Sequence, residues 1–201
     1  MRDFAVLLRS GYPYYLTMGM RRVTSNPLDI GFGKEGRVYI LTRGGLGTEV
    51  RVLNWEDENL GTRGTGQFTW PASLLVDDDE FLYVSDEAKH SVTIMDKDGV
   101  VQTVWGEQGS GDGQFDRPSS MSFDPDGNIV ISDTMNHRVQ RVDRQGNHLQ
   151  TIGEYGEGDK FLGIRVPTLR KVAKKYSHLN LQDATRVINY DIPADRDCFV
   201  C

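Results

Sequence analysis

The body of this 201-residue chain has no cysteine, because both cysteines fall in the last four positions, Cys198-Phe199-Val200-Cys201. A disulfide framework is thereby excluded for everything before Cys198. A single C-x-x-C also falls short of the four ligands of a structural zinc site, and it reads as a frayed tail. Histidine is scarce, with four residues in all. Long apolar runs are missing too: none approaches the ~18 residues of a membrane span, so no membrane association is expected. The N-terminus, Met1-Arg2-Asp3-Phe4-Ala5-Val6-Leu7-Leu8-Arg9, holds an acid in its charged region and only five apolar residues in a row. That is shorter than a signal-peptide core, and the expected location is cytoplasmic.

What the chain does have is acid, unevenly spread. The formal net charge is -6. Residues 160–201 carry eight Lys/Arg and four Asp/Glu, which leaves fifteen basic and twenty-five acidic residues in 1–159. Lys160 to His178 holds six basic side chains and no acid, a pattern that suits either a solvated helix face or a phosphate-facing surface.

The strongest signal is an internal repeat with a period of 47. Gly66-Gln67-Phe68 returns as Gly113-Gln114-Phe115, Pro71 as Pro118, Asp77 as Asp124, Asp86 as Asp133 and Gly99 as Gly146. A weaker first copy is offset by about 44, with Pro27 answering Pro71 and Val38-Tyr39-Ile40 answering Leu82-Tyr83-Val84. Each unit contains four short apolar or alternating stretches separated by turn residues, the pattern of a meandering antiparallel sheet. In the third unit the strands are expected at Ser120–Asp124, Ile129–Ser132, Val139–Val142 and His148–Ile152. Asp124-Pro125-Asp126-Gly127 and Arg144-Gln145-Gly146 supply the turns, as do Asp77-Asp78-Asp79-Glu80 and Asp96-Lys97-Asp98-Gly99 one unit earlier. A four-stranded unit cannot cover both its faces alone and must stack on its neighbours as a propeller blade.

Gly109 to Gly153, GSGDGQFDRPSSMSFDPDGNIVISDTMNHRVQRVDRQGNHLQTIG, resembles the NHL repeat. The resemblance implies a mainly β fold: a partial, three-bladed β-propeller of four-stranded antiparallel blades. The units run over 24–60, 61–107 and 108–153 within a region 24–158, after an N-terminal segment 1–23 that reads as a strand of an incomplete blade. The family's Asp, Asn, His and Arg fall on Asp133, Asn136, His137 and Arg138. The second unit keeps Asp86 and His90 but has Lys89 and Ser91 in place of Asn and Arg. A structural role is expected for all six: an aspartate ending one strand can accept backbone N–H groups and hold an arginine from the next.

Beyond Gly158 the pattern changes. Leu169, Val172, Ala173 and Tyr176 recur at helical spacing after Pro167, and a second helix is expected from Asn180 to about Asn189. Lys160 to Tyr176 resembles the first helical hairpin of DNA alkylation repair enzymes built from HEAT-like helices, and this α-helical segment is placed at 159–189, with an irregular tail at 190–201. No catalytic residue of that family carries over, but Arg165, Arg170, Lys171, Lys174 and Lys175 are expected as phosphate contacts. A six-bladed ring at this period needs roughly 280 residues, so the chain reads as a truncated or chimeric fragment with open blade surfaces able to self-associate. Two chains could also pair as three plus three blades.

Three functions follow. The first is a non-catalytic scaffold presenting propeller loops, such as Arg43 to Glu49 and Glu87 to Ser91, to a protein or peptide. The second is nucleic-acid binding through the basic helix. The third is a lyase acting on peptidyl-hydroxyglycine, which the NHL resemblance admits and which needs several inward histidines on a metal. His90, His137, His148 and His178 form no visible ligand set, so no cofactor, metal or catalytic residue is assigned.

Overall fold

The computed structural model describes residues 24, 26–44 and 47–153. The expected N-terminal strand within 1–23, the helices at 159–189 and the tail at 190–201 lie outside the described residues. Three four-stranded sheets follow one another along the chain. The first contains β1 (Pro27–Phe32), β2 (Val38–Thr42), β3 (Glu49–Leu53) and β4 (Asn59–Arg63). The second contains β5 (Pro71–Val76), β6 (Leu82–Asp86), β7 (Ser91–Met95) and β8 (Val101–Trp105). The third contains β9 (Pro118–Phe123), β10 (Ile129–Asp133), β11 (Arg138–Val142) and β12 (His148–Ile152). Every sheet is an antiparallel meander in chain order. Among the described residues there is no α-helix, only a single 3-10 turn at Lys34–Gly36.

The turns show why the strands fall where they do. Asp77, Asp96, Asp124, Asp143 and Asn54 each open a hairpin, and the side-chain oxygen of each accepts the N–H groups two and four residues on, at 2.8–3.1 Å. The fourth turn residue has a positive φ, taken by Gly99, Gly127 and Gly146 in three hairpins but by Asp57 and Glu80 in the other two. Asp124 therefore belongs to its turn, and β9 ends at Phe123, one residue before the expected limit. That strand also begins earlier, because Pro118 pairs with Asp133 across a bulge. Pro27, Pro71 and Pro118 all open the first strand of their sheet, an edge strand with no neighbour to require an N–H.

The blades stack through β1, β5 and β9. Between the first two, Tyr39, Leu41, Val50 and Val52 meet Leu74, Leu82, Val84 and Met95. Between the second and third, Tyr83, Val92, Ile94 and Trp105 meet Phe115, Met121, Ile129, Ile131 and Val142. Each blade thus has one face toward its predecessor and one toward its successor. Polar links run along the inner strands. Asp29 Oδ2 accepts the Ser73 hydroxyl at 2.9 Å and the Leu74 N–H at 2.8 Å, while Ser73 Oγ accepts the Met121 N–H at 3.3 Å.

Candidate functional site

The loops between second and third strands gather on one rim with the segments leading into each first strand. One backbone hydrogen bond recurs in all three blades: Arg43 N–H to Asn26 O, Glu87 N–H to Trp70 O, and Thr134 N–H to Arg117 O. It ties each loop to the residue before the strand-opening proline.

The repeat aspartates lie beneath this rim and are fully buried. Asp133 accepts the Asp116 N–H at 2.7 Å, Asn136 Nδ2 at 2.9 Å and Arg138 Nε at 2.8 Å, with Gln140 Nε2 at 3.2 Å. Arg138 reaches on to the carbonyls of Ser110, Gly111 and Gln114, so one guanidinium clamps the approach to its own blade. In the second blade, Asp86 accepts four backbone N–H groups, from Thr69, Trp70, Ala88 and Lys89, at 2.6–3.1 Å. The backbone does there what Asn136 and Arg138 do in the third blade, and the Lys89 ammonium donates to the Gln67 carbonyl. His90 and His137 both adopt left-handed φ, 54° and 53°. His90 Nδ1 accepts the Arg117 N–H at 3.3 Å, and the His137 N–H donates to the Thr134 carbonyl. The structure therefore brings together Asp133, Asn136 and Arg138 as one hydrogen-bonded group, with Asp86 and His90 in the preceding blade. Arg165, Arg170, Lys171, Lys174 and Lys175 lie outside the described residues. Among the described residues no three His, Cys, Asp or Glu side chains converge as a metal site, and no helix is long and apolar enough to cross a membrane.

Exposed on the rim are groups that repeat-based reasoning did not single out. The Arg43 guanidinium lies 4.1 Å from the ring centre of Trp70, which is 46% exposed. At the corresponding place one blade on, Arg117 Nε stands 3.2 Å from Glu87 Oε2. Met135 is exposed on the third loop. Arg43 and Glu87 lie within the two loops expected to make contacts.

The opposite rim carries two polar triads across the blade interfaces. Arg37 donates Nε–H and Nη2–H to the two oxygens of Glu80, at 2.9 and 2.6 Å, and the Tyr39 hydroxyl donates to the same carboxylate at 3.0 Å. Arg37's hydrogen bonds hold Glu80 at a pKa of about 2 against burial, while burial and then the Glu80 hydrogen bond push Tyr39 up to about 12. Across the second interface Arg144 Nη1 reaches Asp77 Oδ2 at 3.0 Å, and Tyr83 donates to that oxygen at 3.1 Å. The one trace of these triads in the sequence is Tyr39 and Tyr83 at matching repeat positions, with a glutamate at Glu80 where the third unit has Gly127.

No curated protein matches the chain. Among solved structures it is similar to virginiamycin B lyase from Staphylococcus aureus at 16% identity, covering 72% of this chain and 46% of that one with a TM-score of 0.51. It is similar to hydrazine synthase from Kuenenia stuttgartiensis at 18% identity, covering 70% and 40% with a TM-score of 0.51. It is also similar to a chain of the nidogen/laminin complex at 16% identity, covering 64% and 47% with a TM-score of 0.53. The chain spans less than half the length of these structures. At such identities the likeness is one of fold. No comparison supports a relation of residues 159–189 to DNA alkylation repair proteins. Residues 115–142 match the NHL repeat, so the third sheet is an NHL blade within a fold like that of propeller proteins.

Proposed function

We propose that this chain is a non-catalytic binding module that holds a protein or peptide segment on the rim formed by the Arg43–Thr48, Glu87–His90 and Thr134–His137 loops. One observation carries the reading: the Arg43–Trp70 stack is half exposed, whereas the repeat-defining Asp86, Asp133 and Arg138 are spent on internal hydrogen bonds. Tryptophan and arginine are the side chains most enriched among residues that dominate binding energy, since they offer a large apolar area and directional donors together. Rigid strands below fix the rim, so little conformational entropy is lost when a partner docks. A peptide carrying a carboxylate beside an apolar residue suits the pair, the carboxylate on Arg43 and the apolar group on the free Trp70 face. The nucleic-acid reading rests on side chains outside the described residues, and the lyase reading rests on likeness of fold alone.

The test is selection of a random peptide library on the immobilised full-length chain. Enriched peptides are expected to lose at least tenfold in affinity for Trp70→Ala, by about 1.4 kcal/mol or more, and to bind a variant of the opposite rim, Lys34→Ala, unchanged. Peptides indifferent to Trp70→Ala and Arg43→Ala would place binding elsewhere.

A further inference from the structure

The two open ends of the three-blade stack differ in chemistry. On the first blade, Leu28, Ile30 and Phe32 alternate along β1 and point away from the second blade, at 38%, 50% and 58% exposure. Trp55 continues the surface, stacked on Phe32 with ring centres 5.8 Å apart and planes at 14°. Their counterparts Leu74 and Val76 on β5, and Met121 and Phe123 on β9, are the side chains by which those blades pack against the preceding one. The apolar stripe on β1 thus continues the established blade-to-blade interface, one place further along.

The far end is different. The face of the third blade equivalent to the one that receives a successor carries Ser120, Ser132 and Arg141. Arg141, which stands where Ile94 packs in the second blade, is paired with Asp124 and Asp126. Burial works against ionisation of Asp124, yet the Arg141 hydrogen bond and the Asn128 N–H hold its pKa below the usual carboxylate range. Seating this ion-paired face on Phe32 and Trp55 would desolvate charges with nothing to compensate them. Head-to-tail closure of two chains is therefore chemically mismatched.

A second feature suits the first face to an apolar cover. At the interior interfaces the N–H of Leu74 and of Met121 takes its acceptor from the blade before, Asp29 and Ser73 respectively. On the first blade the equivalent N–H, that of Ile30, is already accepted by Asp29 Oδ1 at 2.9 Å. Nothing on this face demands a polar partner.

We infer that two copies of this chain associate through the β1 faces of their first blades, Leu28, Ile30, Phe32 and Trp55 of one copy against the same residues of the other in an isologous, two-fold contact. An exposed apolar patch continuous along a strand marks an association surface, and a self-complementary face closes with two-fold symmetry and no further growth.

Light scattering on the full-length chain tests it, with circular dichroism to verify that each variant keeps its β signal. The expected result is twice the mass of one chain, falling to one chain mass for Phe32→Asp and for Leu28→Asp but not for Arg141→Glu. In a Cys198→Ser/Cys201→Ser background, Ile30→Cys is expected to join two chains through a bismaleimide. A full-length chain that stays monomeric overturns the inference, as it would if residues 1–23 or another part of the same chain covered the stripe. A dimer lost on Arg141→Glu means end-to-end pairing and also overturns it. So does a dimer that survives both aspartate variants.

Discussion

Asp133 has no exposed surface and gathers four donors, one of them the Arg138 guanidinium, whose side chain is itself only 10% exposed. Removing the carboxylate leaves a buried cation and a buried backbone N–H without their acceptor. Asp133→Ala is expected to cost about 3–5 kcal/mol, read as a lower urea midpoint, and a loss below about 1 kcal/mol would show that water replaces the carboxylate. Glu80 gives a pH signature instead. Its pKa is lowered from 4.5 to about 2 in the folded chain, so the unfolded chain binds the proton first as pH falls. The stability that Glu80 contributes is present above about pH 4.5 and is lost as pH falls toward 2. The loss amounts to roughly 3 kcal/mol, with no discount for screening because the side chain is only 4% exposed. Glu80→Gln should flatten the part of the acid-unfolding profile between those values, while the neutral-pH midpoint falls. At this scale the sequence was partly legible. Asp133 and Arg138 declare themselves by recurrence in a repeat. Glu80 and Arg37 do not, because the pair joins positions 43 apart in sequence and has no copy in the next interface, where Arg144 of the third blade reaches back to Asp77 instead.

Strands were more legible than contacts, because each is bounded by turn chemistry that acts locally. His148–Ile152 falls where expected, and the limits that moved are those decided by pairing, Pro118 by Asp133 across the sheet and Arg138 by the same aspartate. Packing between elements left fainter marks. Gly31 sits on β1 where its neighbouring blade presents Val76, and a Cβ at Gly31 would lie 2.4 Å from Val76 Cγ2. Its φ lies outside the left-handed region, so the need for glycine is one of space. Gly31→Ala should therefore overpack the first interface and cost about 1–3 kcal/mol, lowering the thermal midpoint. Combining it with Val76→Ala should recover part of that loss, a coupling of opposite sign to the single effects. If the two changes are additive, the close approach is not what selects glycine here.

Taken whole, the molecule is a linear stack in which only the second blade has a neighbour on both sides, and such arrays are stabilised by terms between adjacent units. Three buried clusters report on different parts of it. Val38, Ile40 and Leu53 belong to the first blade alone. Leu82 lies in the cluster shared by the first and second blades, and Ile129 in the one shared by the second and third. Truncating a fully buried leucine costs about 2–5 kcal/mol wherever it sits, but the region that opens should differ. Leu53→Ala is expected to speed amide hydrogen exchange in residues 27–63 and to leave the protection of 118–152 unchanged. Leu82→Ala should expose both the first and second blades, because the apolar contact it removes is the one that couples them. The Arg37–Glu80 and Arg144–Asp77 bridges set a limit on that independence, since each ties neighbouring blades across a partly buried ion pair. If Leu53→Ala lowered protection equally in all three sheets, those bridges and the Asp29–Ser73–Met121 links would have to make the stack one cooperative unit. Unequal loss, graded with distance from the first blade, would instead locate the weakest coupling at the interface whose ion pair is more exposed, that of Arg144 at 41% against Arg37 at 23%.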